Sequence, residues 1–249
     1  MKKAPQELVV RTEKMVYGGQ ALARADRFVV FVDDALPNET VRVRLYKKKK
    51  QFAFGRAIEI LEPAPERIPS DCPWTGDCGG CTFRHCAYPA QLRFKKEVLV
   101  ESLHGVPGAQ ELVRDVAPAE QTQDYRNKMV FSFGATMEGE LRLGLHRRGS
   151  FMHIIPADQC RLQSEGSREI VRRVLALAKR MNVPAFHEIK KTPGLRTLTV
   201  REARGTRQRM VELVSTTAYP GLAEEFRAAL DDLADVLYFS LDTNIYGSA

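Results

Sequence analysis

Three cysteines crowd into one short stretch, Asp71-Cys72-Pro73-Trp74-Thr75-Gly76-Asp77-Cys78-Gly79-Gly80-Cys81, and their C-x5-C-x2-C spacing restricts this chain more than any other feature. A C-x2-C pair puts two thiolates on one tight loop, aimed at a single metal centre. Gly79 and Gly80 between them remove side-chain bulk and allow the positive φ values such a loop needs. Thiolates are soft ligands, suited to zinc or to iron–sulfur clusters. Three of them require a fourth ligand from elsewhere, and two cysteines are available. Cys86 lies five residues past Cys81, at the approach to a helix. Cys160, in Pro156-Ala157-Asp158-Gln159-Cys160, follows a strand, where a loop can fold back over the site, and this geometry favours it. The alternative at either place is a reduced, buried thiol. For zinc, His85 and His153 are conceivable nitrogen ligands.

The 249 residues carry a net charge of +7, unevenly spread: 13 Lys and Arg against 8 Asp and Glu in residues 1–63, a net of +5, and 25 against 23 in the remainder, a net of +2. The basic excess, with the run Lys47-Lys48-Lys49-Lys50, points to a polyanionic partner for the N-terminal segment. Without such a partner the run is a solvated hairpin tip. Lys2 and Lys3 are followed by no apolar h-region, and no apolar stretch approaches the ~20 residues that span a bilayer. A cytoplasmic protein is expected, where structural disulfides are rare and five cysteines are read first as thiols or metal ligands.

Residues 8–62 read as a small all-β unit. Leu8-Val9-Val10, Phe28-Val29-Val30-Phe31-Val32 and Phe52-Ala53-Phe54 are short apolar runs separated by turn signals at Gly18-Gly19 and Pro37-Asn38. Over residues 40–46 the pattern alternates, with Val41, Val43 and Leu45 on one face and Arg42, Arg44 and Tyr46 on the other, as in a half-buried strand with a basic outer face. Short strands at this spacing suggest a barrel of the OB kind over residues 1–63, a common nucleic-acid platform. Pro63, Pro65 and Pro69 then break regular structure. Beyond them the pattern predicts a helix over 89–103 with Leu92, Leu99 and Leu103 on one face, and two strands within 125–153 joined near Glu138-Gly139. A second helix follows over 167–181, with a stripe of Ile170, Val171, Val174, Leu175 and Ala178. A hairpin around Arg204-Gly205, a helix over 221–233 and a strand over 236–241 complete the pattern. Residues 64–249 are expected to form one α+β domain, so the fold class is α+β with an N-terminal barrel. Residues 244–249 follow a strand without a convincing close, and this end looks cut.

The cysteine segment resembles that of the iron–sulfur-containing RNA (uracil-5)-methyltransferases, in which C-x5-CGGC and a later cysteine bind a [4Fe-4S] cluster. Other segments agree in the same order. Tyr17-Gly18-Gly19-Gln20-Ala21-Leu22-Ala23-Arg24 and Phe31-Val32-Asp33-Asp34-Ala35-Leu36-Pro37 resemble the family's TRAM domain. Tyr125-Arg126-Asn127-Lys128 and Leu143-Gly144-Leu145-His146-Arg147-Arg148-Gly149-Ser150-Phe151 resemble its central domain. The resemblance implies cluster ligation by Cys72, Cys78, Cys81 and Cys160, with Cys86 an extra thiol, in a closed site that organises the loop. It implies RNA binding on a basic barrel face, with Arg42, Arg44, Lys47, Lys48, Lys49 and Lys50 as phosphate contacts. A second basic and aromatic set comprises Tyr125, Arg126, Lys128, His146, Arg147, Arg148 and Phe151, able to clamp unpaired RNA unless Tyr125 and Phe151 are core residues.

In that family a cysteine adds to C6 of uracil, C5 takes a methyl group from S-adenosylmethionine, and a base removes the C5 proton. These parts belong to a Rossmann-like domain. The chain shows no Gly-rich cofactor turn after a strand and no Asp-x-Tyr-Cys-Gly-type nucleophile motif. The expected protein is therefore the RNA-binding and cluster-binding portion of such an enzyme, with no catalytic or S-adenosylmethionine-binding residue of its own and no activity alone. A monomer acting on ribosomal rather than transfer RNA is also expected. The alternatives are a standalone RNA-binding module and a zinc-ribbon-like nucleic-acid protein. Radical S-adenosylmethionine chemistry is disfavoured, because it uses C-x3-C-x2-C with one iron open, whereas four cysteines here can close the site.

Overall fold

The structure, a computed structural model, describes residues 6–25 and 28–243. The expectation about residues 244–249 falls outside them. The chain divides into two compact units, residues 1–75 with 81–120, and residues 76–80 with 121–249.

The first unit contains a closed five-stranded barrel made of β1 (Glu7–Met15), β2 (Ala21–Ala25), β3 (Phe28–Asp33), β4 (Thr40–Lys48) and β5 (Phe52–Glu62), in the order β1-β2-β3-β5-β4. All its pairings are antiparallel except β3 with β5, which run parallel, and β4 pairs back to β1 to close the ring. Alternation decides what lies inside: Val30, Val32, Val41, Val43, Leu45 and Ala53 fill the centre, and their neighbours point outward. The expected OB-like barrel is present, and closure leaves it no exposed strand edge.

Helix α1 (Tyr88–Ser102) begins with a proline in its first turn, where a missing N–H costs nothing. Its expected apolar face is corrected. Leu99 is 47% exposed, and the buried residues are Ala90 and Phe94, with Val98 packed beside them. That row, spaced four residues apart, packs with Met15, Leu36, Ala64 and Cys86. A short helix, α2 (Ala109–Leu112), follows.

The second unit is built on a six-stranded sheet of β6 (Lys128–Ala135), β7 (Leu141–His146), β8 (Ile154–Pro156), β9 (Leu195–Glu202), β10 (Arg209–Ser215) and β11 (Val236–Leu241), in the order β11-β10-β9-β6-β7-β8. Helices α3 (Glu165–Arg180) and α4 (Leu222–Leu230) supply the apolar partners. The Ser164 hydroxyl caps α3 by accepting from the Ser167 N–H at 3.2 Å. Ile170, Val171, Val174, Leu177 and Ala178 form its buried stripe, Leu177 taking the place expected for Leu175. The β9–β10 hairpin falls where the sequence indicated. The parallel pairing of β10 with β11 across α4 was not expected from it. The fold is mixed α+β, a barrel followed by a sheet-rich unit.

Candidate nucleic-acid interface and cysteine loop

On the barrel's outer face, β4 presents Arg42, Arg44, Tyr46, Lys47 and Lys48 on alternating or terminal positions. The two arginines are engaged: Arg42 Nε donates to Glu59 at 2.8 Å, and Arg44 pairs with Glu7 at 2.8 Å. The Glu59 hydrogen bond and charge hold the Arg42 guanidinium above its ordinary value. The lysines are arranged differently. Lys47 Nζ lies 5.6 Å from the Phe54 ring centre, Lys48 Nζ lies 4.9 Å from that of Phe28, and Lys49 and Lys50 occupy the exposed turn into β5. In that turn the Lys49 N–H donates to the Phe52 carbonyl at 2.8 Å.

Around the lysines stands a group of outward rings that the sequence reading treated only as barrel strand. Phe31 and Phe54 are 5.3 Å apart and inclined by 26°, and Tyr46 and Phe54 are 6.4 Å apart and inclined by 22°. Phe52 meets Phe31 and Phe54 edge-on, at 74° and 88°. The Tyr46 hydroxyl donates to Asp33 Oδ2 at 2.9 Å; burial, and then the Asp33 charge, push the phenol up to about 12.

In the second unit, residues 76–80 lie along the end of β7. The Gly79 N–H donates to His146 O at 3.1 Å, the Arg148 N–H donates to Asp77 O at 2.8 Å, and Arg147 Nη2 reaches Asp77 Oδ1 at 3.0 Å. This ladder positions Cys78 opposite Arg147. The Gly80 N–H points at Cys78 Sγ from 3.3 Å. Of the two reasons expected for the glycines, the positive φ is corrected and the missing side-chain bulk is borne out. Neither Gly79 nor Gly80 has positive φ; Gly76 does, at 88°. What the loop needs is closeness: a Cβ on Gly79 would lie 3.2 Å from His146 O, and one on Gly80 would lie 3.0 Å from Leu145 Cδ1 and 3.4 Å from Cys78 Sγ.

Cys160 sits in a turn, its N–H donating to Ala157 O at 3.1 Å. Arg168, which the sequence reading overlooked, fastens that turn to α3: Nη1 donates to Gln163 O at 2.7 Å, to Asp124 Oδ1 at 2.9 Å and to Cys160 O at 3.2 Å. The clue was an arginine on an otherwise apolar helical stripe. Arg126 extends the same region, its N–H donating to Leu162 O at 2.9 Å and its Nη2 reaching Gly80 O at 3.4 Å.

Tyr125 is 45% and Phe151 65% exposed, so neither is a core residue. His146 Nε2 and Ser132 Oγ are 3.0 Å apart. Lys128 lies with Arg201, Glu202, Gln208 and Arg209 around an open cavity of about 520 Å³. Arg126, His146, Arg147 and Arg148 are thus tied to the 77–80 and 160–162 segments, while Lys128 opens on this separate cavity.

All five cysteines are thiols. Cys72 and Cys81 belong to the first unit, Cys78 and Cys160 to the second, and all four are half-buried. Cys86 is buried, and burial followed by the Glu66 charge pushes its thiol up to about 11. Among the described residues no three His, Cys, Asp or Glu side chains are arranged to hold a metal ion. The donor chemistry nonetheless suits an iron–sulfur group: half-buried thiols, one with a backbone N–H directed at its sulfur.

Residues 6–58 match the TRAM domain. The barrel is a TRAM domain. Over a longer span that takes in the barrel, an uncharacterized RNA methyltransferase of Thermotoga maritima is 36% identical over 223 residues, covering 89% of this chain and 49% of the relative. A second, from Caldanaerobacter subterraneus, is 32% identical over 89% of this chain and 50% of its own length. The chain spans about half the length of the relatives it matches. The structure of the Pyrococcus abyssi tRNA (uracil-54, C5)-methyltransferase in complex with S-adenosyl-L-homocysteine matches with a TM-score of 0.69 at 20% identity, over 96% of this chain and 52% of that one. That likeness is one of fold.

These findings correct the reading of the chain as a binding portion that lacks the catalytic domain and is inactive alone. Similarity to RNA methyltransferases runs through 89% of the chain, and the fold likeness through 96%. The similarity thus runs through most of this chain and about half of each relative, and it gives the claim of inactivity no support. No helix among the described residues is long and apolar enough to cross a membrane.

Proposed function

We propose that the protein is an S-adenosylmethionine-dependent RNA methyltransferase that modifies C5 of uridine, with ribosomal RNA as its preferred substrate. The observation that carries this reading is the 36% identity to an RNA methyltransferase over 89% of the chain, together with the TRAM barrel. The fold shared with a tRNA (uracil-54, C5)-methyltransferase supports the choice of base and atom. In this reading Lys47, Lys48, Lys49 and Lys50, with Arg42 and Arg44, hold phosphates. Tyr125, Arg126, Lys128, His146, Arg147, Arg148 and Phe151 contact the RNA as a second set. The test is transfer of labelled methyl from S-adenosylmethionine to ribosomal and transfer RNA, followed by nucleoside analysis. Label in 5-methyluridine, greater with ribosomal RNA, is the expected result; label in another nucleoside or none at all refutes it.

The same proposal gives Cys72, Cys78, Cys81 and Cys160 to a [4Fe-4S] cluster. Four thiolates leave no open iron, so its contribution is to brace the loops, and the chain acts as a monomer around it. Anaerobic purification should yield brown protein with near-equal iron and sulfide, and Cys81→Ser should lower the yield of folded protein. Colourless protein holding zinc would remove the cluster from the reading.

A further inference from the structure

The outward rings of the TRAM barrel have no role in the barrel's own core. Val30, Val32, Val43, Leu45 and Ala53 already fill it, and Phe31, Tyr46, Phe52 and Phe54 alternate with them on the opposite side of the wall. Three of these rings, Phe31, Phe54 and Tyr46, form a row on three adjacent strands, each inclined to the next by 26° or less. Tyr46 is 59% exposed, and its hydroxyl is held by Asp33, which fixes the ring's orientation. Phe31 and Phe54 are half-buried while Tyr46 and Phe52 are exposed, and exposed rings grouped on such a base mark a binding surface more than a stabilising one. The charge around it selects the partner: Lys47 lies by the Phe54 ring, Lys48 by Phe28, and Lys49 and Lys50 follow at the turn. Flat π-faces bordered by a run of ammonium groups suit unpaired nucleotides, whose bases stack while their phosphates meet the lysines.

We infer that Phe31, Tyr46, Phe52 and Phe54 form a stacking platform for unpaired bases of RNA, with Lys47 to Lys50 tracking the adjoining phosphates. The inference rests on the RNA-directed reading above and adds what that reading does not specify: this surface takes single strands in preference to duplex. A base-paired helix hides its base faces and offers the platform nothing.

The experiment measures binding of the full chain to a single-stranded RNA carrying 2-aminopurine and to a duplex of equal length. Stacking on a ring quenches the fluorophore. Tyr46→Leu and Phe52→Leu remove exposed rings at little cost to folding, and Phe54→Leu removes the central one; Tyr46→Phe keeps a ring. The leucine variants should weaken single-strand binding roughly 5- to 100-fold each and abolish the quench. They should leave duplex binding and the salt dependence unchanged, and Tyr46→Phe, which keeps the ring but loses its tether to Asp33, should bind far closer to wild type than Tyr46→Leu does. Equal weakening on duplex, unchanged single-strand binding, or loss of self-association in place of RNA binding would overturn the platform. If wild-type protein binds RNA and the ring variants match it, only this inference fails; if wild type binds no RNA, the functional reading fails with it.

Discussion

Glu39 is wholly buried, and its carboxylate is used completely. It pairs with Arg67, whose Nη2 lies 2.7 Å from Oε2, and it accepts from the N–H groups of Leu36 at 2.8 Å and Ala64 at 3.3 Å. One side chain thus joins the β3–β4 turn to the proline-rich stretch after β5. Removing one partner of such a pair leaves the other charge stranded, so Glu39→Ala should cost about 3–5 kcal/mol, read as a shift of the urea midpoint. A cost under about 1 kcal/mol would show that water reaches Arg67. Cys86 gives a prediction in pH. Its thiol is raised in the fold from an ordinary 9.0 to about 11, so its contribution to stability is full below pH 9 and is lost as pH rises through 11. Because the thiolate is the nucleophile, Cys86 should resist iodoacetamide at pH 8 in the folded chain and should react readily once urea unfolds it. The cysteine motif was visible in the sequence because ligand spacing is local. Arg168 was not, because what an arginine on a helical stripe reaches depends on where the chain returns.

At the scale of elements, β7 meets β8 through the absence of a side chain. A Cβ on Gly144 would lie 1.9 Å from the Ile155 carbonyl oxygen and 3.0 Å from the Ala157 nitrogen, both backbone atoms that cannot swing away. Gly144→Ala should lower stability by about 3 kcal/mol or more and strip amide-exchange protection from β8. Gly139→Ala, in open space but at φ 87°, should cost only ~1–2 kcal/mol from its left-handed backbone. Comparing the two melting temperatures separates a steric glycine from a conformational one. Helix α3 was legible because its apolar residues recur with helical period and Ser164 caps it. Helix α1 misled because its leucines are more conspicuous than Ala90 and Phe94, which carry the contact. The aromatic face was missed for a related reason. In Phe52-Ala53-Phe54-Gly55 the large residues look like core, yet alternation sends small Ala53 inward and both rings out. The parallel register of β10 and β11 is not written in either strand, since alternation sets a strand's faces and not its neighbour's direction.

At the scale of the whole molecule, the net charge of +7 makes RNA affinity a function of salt. Each lysine that neutralises a phosphate on a single strand contributes about 0.7 to the slope of log K against log salt. Replacing Lys47, Lys48, Lys49 and Lys50 with glutamine should therefore flatten that slope by roughly 2–3, whereas Arg42→Gln and Arg44→Gln, which break pairs with Glu59 and Glu7, should change it less. Equal slopes for wild type and the fourfold variant would clear the lysine run of any role. The six-stranded sheet carries a consequence of another kind. Its order, β11-β10-β9-β6-β7-β8, divides it into two sequence-local triplets joined only where β6 pairs with β9, from Lys128 against Arg201 to Ser132 against Thr197. Residues facing each other across that seam are about 70 positions apart, so loop entropy is lost there before any ladder bond repays it. The halves can zip early and independently, and the joining of β6 to β9 sets the pace at which this sheet folds.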